Sequence, residues 1–90
     1  MKTKNKVSVI VAVATPPGHG GVAIVRLSGN GSLQIGKAIF RGPKEWPTHL
    51  LQYGRLVDPT TGETVDRGMA VHMAAPRTYT GEEVVEFHLH

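Results

Sequence analysis

The chain has ninety residues, no cysteine, and ten Lys and Arg against seven Asp and Glu, for a net charge of +3. That length allows one domain or part of one, with a small core and marginal stability. Disulfides and thiolate metal sites are excluded, which suits a reducing compartment, and no apolar run approaches the ~20 residues of a membrane helix.

The start, Met1 to Lys6 followed by an apolar run, has the outline of a signal peptide. Strand-type Val and Ile, the abrupt Thr15-Pro16-Pro17 stop and the lack of an Ala-x-Ala site argue against one. The chain therefore reads as cytoplasmic, with no membrane partner. Its positive balance permits contact with phosphates. Apart from Lys2, Lys4 and Lys6, however, the basic residues are scattered, and no aromatics interleave with them. A solvated surface with a basic arm is the simpler reading, and a dedicated nucleic-acid site the other.

Residues 7–14 are rich in β-branched side chains and apolar on both faces, which predicts a central strand. Pro16-Pro17 ends it, and Gly18, Gly20 and Gly21 let the backbone reverse into a second strand at 22–27. Alternation puts Val22, Ile24 and Arg26 on one face, and Ala23, Val25 and Leu27 on the other. Ser32 is predicted to cap a short helix over 33–40, with Ile35 and Ile39 on its buried face. Gly36 weakens that helix by ~1 kcal/mol relative to Ala, and Gly42-Pro43 stops it. A third strand at 50–57, a turn at 58–63 and a fourth strand at 64–73 form an antiparallel pair. Gly68 inside the fourth implies a bulge or a close backbone approach. After a loop at 74–81, residues 83–89 form a fifth strand.

These elements predict an α+β fold, a mixed sheet of about five strands with one short helix on one face. One short helix cannot cover such a sheet. The chain is therefore expected to be a truncated domain, lacking a C-terminal helix, or to borrow surface from a partner.

The glycine-rich turn is not a phosphate loop: it lacks a Gly-Lys-Ser/Thr ending, and a strand follows where a helix is needed. In the fifth strand Val84, Glu86, His88 and His90 share one face, and Val85, Phe87 and Leu89 form the core face. Glu86, His88 and His90 make either a polar sheet face or a three-ligand metal site. His19, His49 and His72 read as ordinary turn or surface histidines.

Arg26 and Glu86 are lone charges on otherwise apolar strands. Burying either without a partner is costly, so they form a salt bridge across the sheet or line a ligand pocket. A carboxylate there suits a ligand with adjacent N–H donors, such as the 2-amino-4-oxo edge of a pterin. An arginine suits carbonyl or carboxylate oxygens. The loop from Ala75 to Glu83 brings the hydroxyls of Tyr79 and Thr80 and a turn position at Gly81, and reads as a lid or a structural loop.

Three segments resemble the N-terminal domain of the MnmE/TrmE family of tRNA modification GTPases. They are Ala14 to Gly21 running into Arg26-Leu27-Ser28-Gly29, then Val65-Asp66-Arg67-Gly68, then Tyr79-Thr80-Gly81-Glu82-Glu83 running into Glu86-Phe87-His88-Leu89-His90. Their order and spacing span essentially the whole chain. His19 stands where the family often has Arg or another residue, and Thr78 where it usually has Ser. The resemblance implies an α+β fold related to folate-binding aminomethyltransferase domains. It also implies a homodimer that binds a tetrahydrofolate one-carbon derivative, 5-formyl- or methylene-tetrahydrofolate. Carried onto this sequence, Arg26 and Glu86 are the family's folate contacts, with Tyr79, Thr80 and Gly81 as weaker ones.

In such a family the domain works with a helical domain and a G domain that hydrolyses GTP with magnesium and potassium. With an FAD-dependent MnmG-type partner the whole adds an aminomethyl or carboxymethylaminomethyl group to the wobble uridine of tRNAs. The ninety residues carry no GTP-binding motif and are expected not to catalyse alone. The competing expectations are a ligand-free dimerisation module and the metal-binding strand of Glu86, His88 and His90.

Overall fold

The computed structural model describes residues 9–13, 23–75 and 81–89. In chain order these form β1 (Ile10–Val13), β2 (Ala23–Ser28), α1 (Ser32–Ile39), β3 (Phe40–Arg41), β4 (Gln52–Val57), β5 (Thr64–Met73) and β6 (Val84–Leu89). The strands make one sheet in the order β1-β2-β6-β5-β4-β3, so β6 lies near its middle. Every pairing between named strands is antiparallel. The expected mixed sheet of about five strands is therefore a six-stranded antiparallel one. Only the isolated bridge between Thr48 and His72 is parallel among the described residues.

The extra strand is β3, which the sequence pattern had placed in the helix tail. Phe40 turns to extended backbone (φ −122°, ψ 131°) and stops the helix one residue early. Two residues are too few to show alternation. The extended turn drops the Phe40 ring into the core, edge-on to Trp46 at 5.5 Å and tilted against Phe87 at 6.1 Å. Such aromatic pairs add to the apolar area they bury. Leu27, Ala70 and Val85 complete this cluster, with Ile39, Leu56 and Leu89 packed around it.

Alternation explains why the core lies on one side. Val85, Phe87 and Leu89 of β6 face the helix, as expected, alongside their register partners Leu27, Val25 and Ala23 of β2. The helix itself differs from expectation at two points. Its N-cap is Gly31, left-handed at φ 106° and without a side-chain cap bond. Ser32 is instead the first helical residue and fully buried; its hydroxyl donates to the Gly29 carbonyl at 2.7 Å. The helix also buries Ser32 and Gly36 in place of Ile35, which stays 40% exposed. A β-carbon at Gly36 would stand 3.1 Å from Val85 Cγ1, so the missing side chain lets the helix settle onto the sheet. Small residues at the contact rotate Ile35 outward.

Gly68 follows the second sequence option, a close approach. Its register partner is Gly54, and a β-carbon at Gly68 would come 2.5 Å from the His88 carbonyl oxygen. The one register shift lies elsewhere, between Leu56 and Val57. The 58–63 turn forms as predicted, with the backbone N–H and hydroxyl of Thr60 both donating to Asp58 Oδ1. β1 is a correction: its apolar run suggested a central strand, yet it is the sheet edge and Ile10, Val11 and Val13 are exposed. Apolar content on both faces does not locate a strand within a sheet.

Because Phe40 joins helix, loop and sheet, Phe40→Ala is expected to lower the unfolding free energy by about 3–5 kcal/mol. A urea titration would read this as a lower midpoint at unchanged slope.

Candidate functional site

Arg26 and Glu86 are direct register partners of β2 and β6. Alternation from Val85 and Phe87 sends both side chains to the sheet face opposite the helix. The second strand of that pairing also carries His88 on the same face. Arg26 Nε and Nη2 both donate to Glu86 Oε2, at 2.8 and 2.5 Å. The other oxygen, Oε1, takes His88 Nε2 at 3.0 Å. With the carboxylate ionised, Nε2 is the protonated nitrogen of that contact.

Exposure sets the order in which a solute meets these groups. The Glu86 side chain is 8% exposed, against 28% for Arg26 and 24% for His88. Burial pushes the Glu86 carboxyl up, but the hydrogen bonds and electrostatic pull of His88 and Arg26 outweigh it and hold the carboxyl below the ordinary 4.5. The carboxylate accepts three of about four available hydrogen bonds. One acceptor position remains, beside a fork of guanidinium donors.

Of the other expected contacts, Gly81 is left-handed at φ 78° and exposed, at the approach to β6. Tyr79 and Thr80 lie outside the described residues, as does the Pro-Pro to Gly-Gly turn. A hollow of about 330 Å³ opens nearby, lined by Asn30, Ala75, Glu82 and Glu83. Arg26 and Glu86 do not line it, so the salt-bridge reading of this pair describes the ligand-free geometry. For the metal reading, Glu86 and His88 bond each other, and His90 lies outside the described residues. Among the described residues no three His, Asp or Glu converge as a metal site.

His72 corrects the expectation of a surface histidine. It is buried, with Nε2 3.1 Å from Glu83 Oε2, and its Nδ1 has no hydrogen-bond partner among the described residues. The signal was present: His72 shares strand parity with Ala70, a core residue. Ser32 was missed as a tie between elements. Gly29 N–H donates to the Glu83 carbonyl at 2.8 Å, and the Ser32 hydroxyl reaches the same oxygen at 3.4 Å, fastening the start of β6 to the β2–α1 corner.

The sequence pattern of the family described as "GTP-binding protein TrmE N-terminus" matches residues 9–90. The chain belongs to this TrmE N-terminus family. It is 46% identical over 86 residues to the tRNA modification GTPase MnmE of Heliobacterium modesticaldum, covering 90% of this chain and 18% of that protein. Against the MnmE of Thermus thermophilus it is 46% identical over 83 residues, 90% of this chain and 19% of the relative. Against that of Lactiplantibacillus plantarum the figure is 42% over 92 residues, all of this chain and 20% of the relative. The chain thus spans about a fifth of the length of the relatives it matches. No helix among the described residues is long and apolar enough to cross a membrane. In this TrmE N-terminal domain, then, the buried carboxylate and its two donors are the polar centre of the sheet face away from the helix.

The lowered Glu86 carboxyl fixes the sign of a pH effect. The unfolded chain binds a proton at higher pH than the folded one, so stability falls as pH drops below about 4.5 and through the lowered folded value. Glu86→Gln is expected to flatten that acid limb and to cost about 1–3 kcal/mol at neutral pH. Denaturant titrations across the acid range measure both.

Proposed function

We propose that this chain is the folate-binding and dimerising N-terminal part of a tRNA-modifying GTPase. The observation that carries the reading is the Arg26–Glu86–His88 cluster, a buried carboxylate with an acceptor position left and a guanidinium fork at its side. A pterin edge presents adjacent N–H donors to a carboxylate and a carbonyl oxygen to an arginine. The residue types fit such a group, whose second N–H would replace one of the donors now on the carboxylate. Tyr79, Thr80 and Gly81 are its further contacts in this reading.

A bound tetrahydrofolate derivative, 5-formyl- or methylene-tetrahydrofolate, supplies a one-carbon unit. This chain's residues hold and orient it and carry out no bond chemistry. GTP hydrolysis, with magnesium and potassium, belongs to a G domain. Transfer to the wobble uridine of tRNA belongs to the assembly with an FAD-dependent MnmG-type partner, in the cytoplasm. The names of the relatives support the tRNA and GTPase parts; a kinship of the fold with aminomethyltransferase domains is part of the same proposal.

One observation favours a second reading, a ligand-free assembly module. Among the described residues β1 is an open sheet edge carrying exposed Ile10, Val11 and Val13, the kind of edge that pairs with another chain. This edge supports a homodimer under either reading.

Titration of the intact protein with 5-formyl-tetrahydrofolate separates them. Arg26→Ala and Glu86→Ala are each expected to weaken binding about tenfold or more, roughly 1.4 kcal/mol. Affinities within about a factor of two of the parent, in variants with unchanged circular dichroism, would sink the folate site. A dimer by sedimentation whose amide signals ignore folate would leave the assembly module.

A further inference from the structure

Three arginines far apart in sequence occupy one cross-strand row. Arg41 of β3 is the register partner of Arg55 of β4, and Arg55 is the partner of Arg67 of β5. Neighbouring strands lie ~4.8 Å apart, so the three backbone positions stand in file across about 10 Å. Like charges directly opposite each other destabilise a sheet, and no ion pair of the described residues relieves them. Asp66, adjacent to Arg67, belongs to the other face, where its register partner is Leu56.

The arginines are held in different ways. Arg55 Nη1 donates to Thr64 Oγ1 at 2.7 Å. Arg41 instead turns back to α1: its Nη1 donates to the Lys37 and Ala38 carbonyls, both at 3.1 Å, which takes its charge to the helix side of the sheet edge. Arg67 makes no side-chain hydrogen bond among the described residues and is exposed. Two residues before Arg55, and on its face, Tyr53 is 57% exposed. On that helix side a hollow of about 200 Å³ beside Arg41 is lined by Lys37, Lys44 and Trp46. The fold thus leaves Arg55, Arg67 and Tyr53 together on the face away from the helix.

We propose that the Arg55–Arg67 pair, with Tyr53 beside it, is a docking surface for an RNA phosphodiester backbone. Guanidinium forks match phosphate oxygens two bonds at a time, and a pair of them follows a chain of phosphates. An exposed aromatic at the pair's side stacks an unpaired base, the usual partner of basic residues in RNA binding. An acidic protein surface would satisfy the charges but leave Tyr53 without a role. Repulsion inside the pair is the local conflict that a ligand's negative charge relieves. The choice of tRNA as the RNA rests on the function proposed above; the pair itself does not.

The experiment titrates unmodified tRNA into the intact protein at several salt concentrations between about 50 and 200 mM. It compares the parent with Arg55→Gln, Arg67→Gln and the double variant. Each substitution is expected to weaken binding severalfold at low salt and to make the log–log salt slope shallower by about 0.7–0.9. Arg67→Lys should keep the slope. The thermal midpoint of Arg67→Gln should hold or rise, because a repulsion is removed, so loss of binding cannot be loss of fold. Binding of 5-formyl-tetrahydrofolate should not change, which separates this surface from the Arg26–Glu86 site. A double variant with the parent's slope and affinity overturns the proposal. So does capture of polyglutamate by a parent protein that ignores tRNA.

Discussion

A carboxylate at the centre of the sheet dictates what surrounds it. Glu86 sits on a strand hydrogen-bonded on both sides, where an unpaired negative charge would be costly. The solution is a guanidinium in direct register and an imidazole two residues along the same strand. Register therefore cannot slip between β2 and β6. A shift of one residue would put Arg26 among core aliphatics and leave Glu86 alone. The pair proposed to bind a ligand also specifies the strand alignment.

The opposite face obeys a different rule. There the helix approaches through Ser32 and Gly36, and Phe40 turns out of the helix to meet Trp46 and Phe87. Close approach, more than aliphatic bulk, holds the helix in place. The two faces share β6, whose Val85 and Phe87 build the core and whose Glu86 and His88 build the polar cluster. One strand thus couples packing to the candidate site.

Much of this was legible in the residues themselves. Alternation located β5 at its observed bounds, assigned the core face of β6 and singled out Arg26 and Glu86 as charges needing partners. It offered their salt bridge across the sheet as one option but could not fix the register, because strand neighbours separated by sixty residues leave no local trace. The two-residue β3 was illegible for want of a period, and β1 was misplaced because an apolar run looks the same at an edge or a centre. Ile35 faced out because Gly36 packs closer than any larger residue could, a tertiary effect that helical spacing does not encode. His72 carried a readable signal in its parity with Ala70. The arginine row shows the same limit: Arg41, Arg55 and Arg67 look like scattered surface charge until register lines them up.

The strand order has a consequence for synthesis. β2 finds its inner neighbour only in β6, so the sheet centre cannot close until about sixty further residues have left the ribosome, roughly 3–12 s at ordinary elongation rates. β1 and β2 wait through that interval as a lone ribbon with aliphatic side chains in water, a form that is marginal by itself. The emergence of β6, which pairs with both β2 and β5, is the step that closes the sheet.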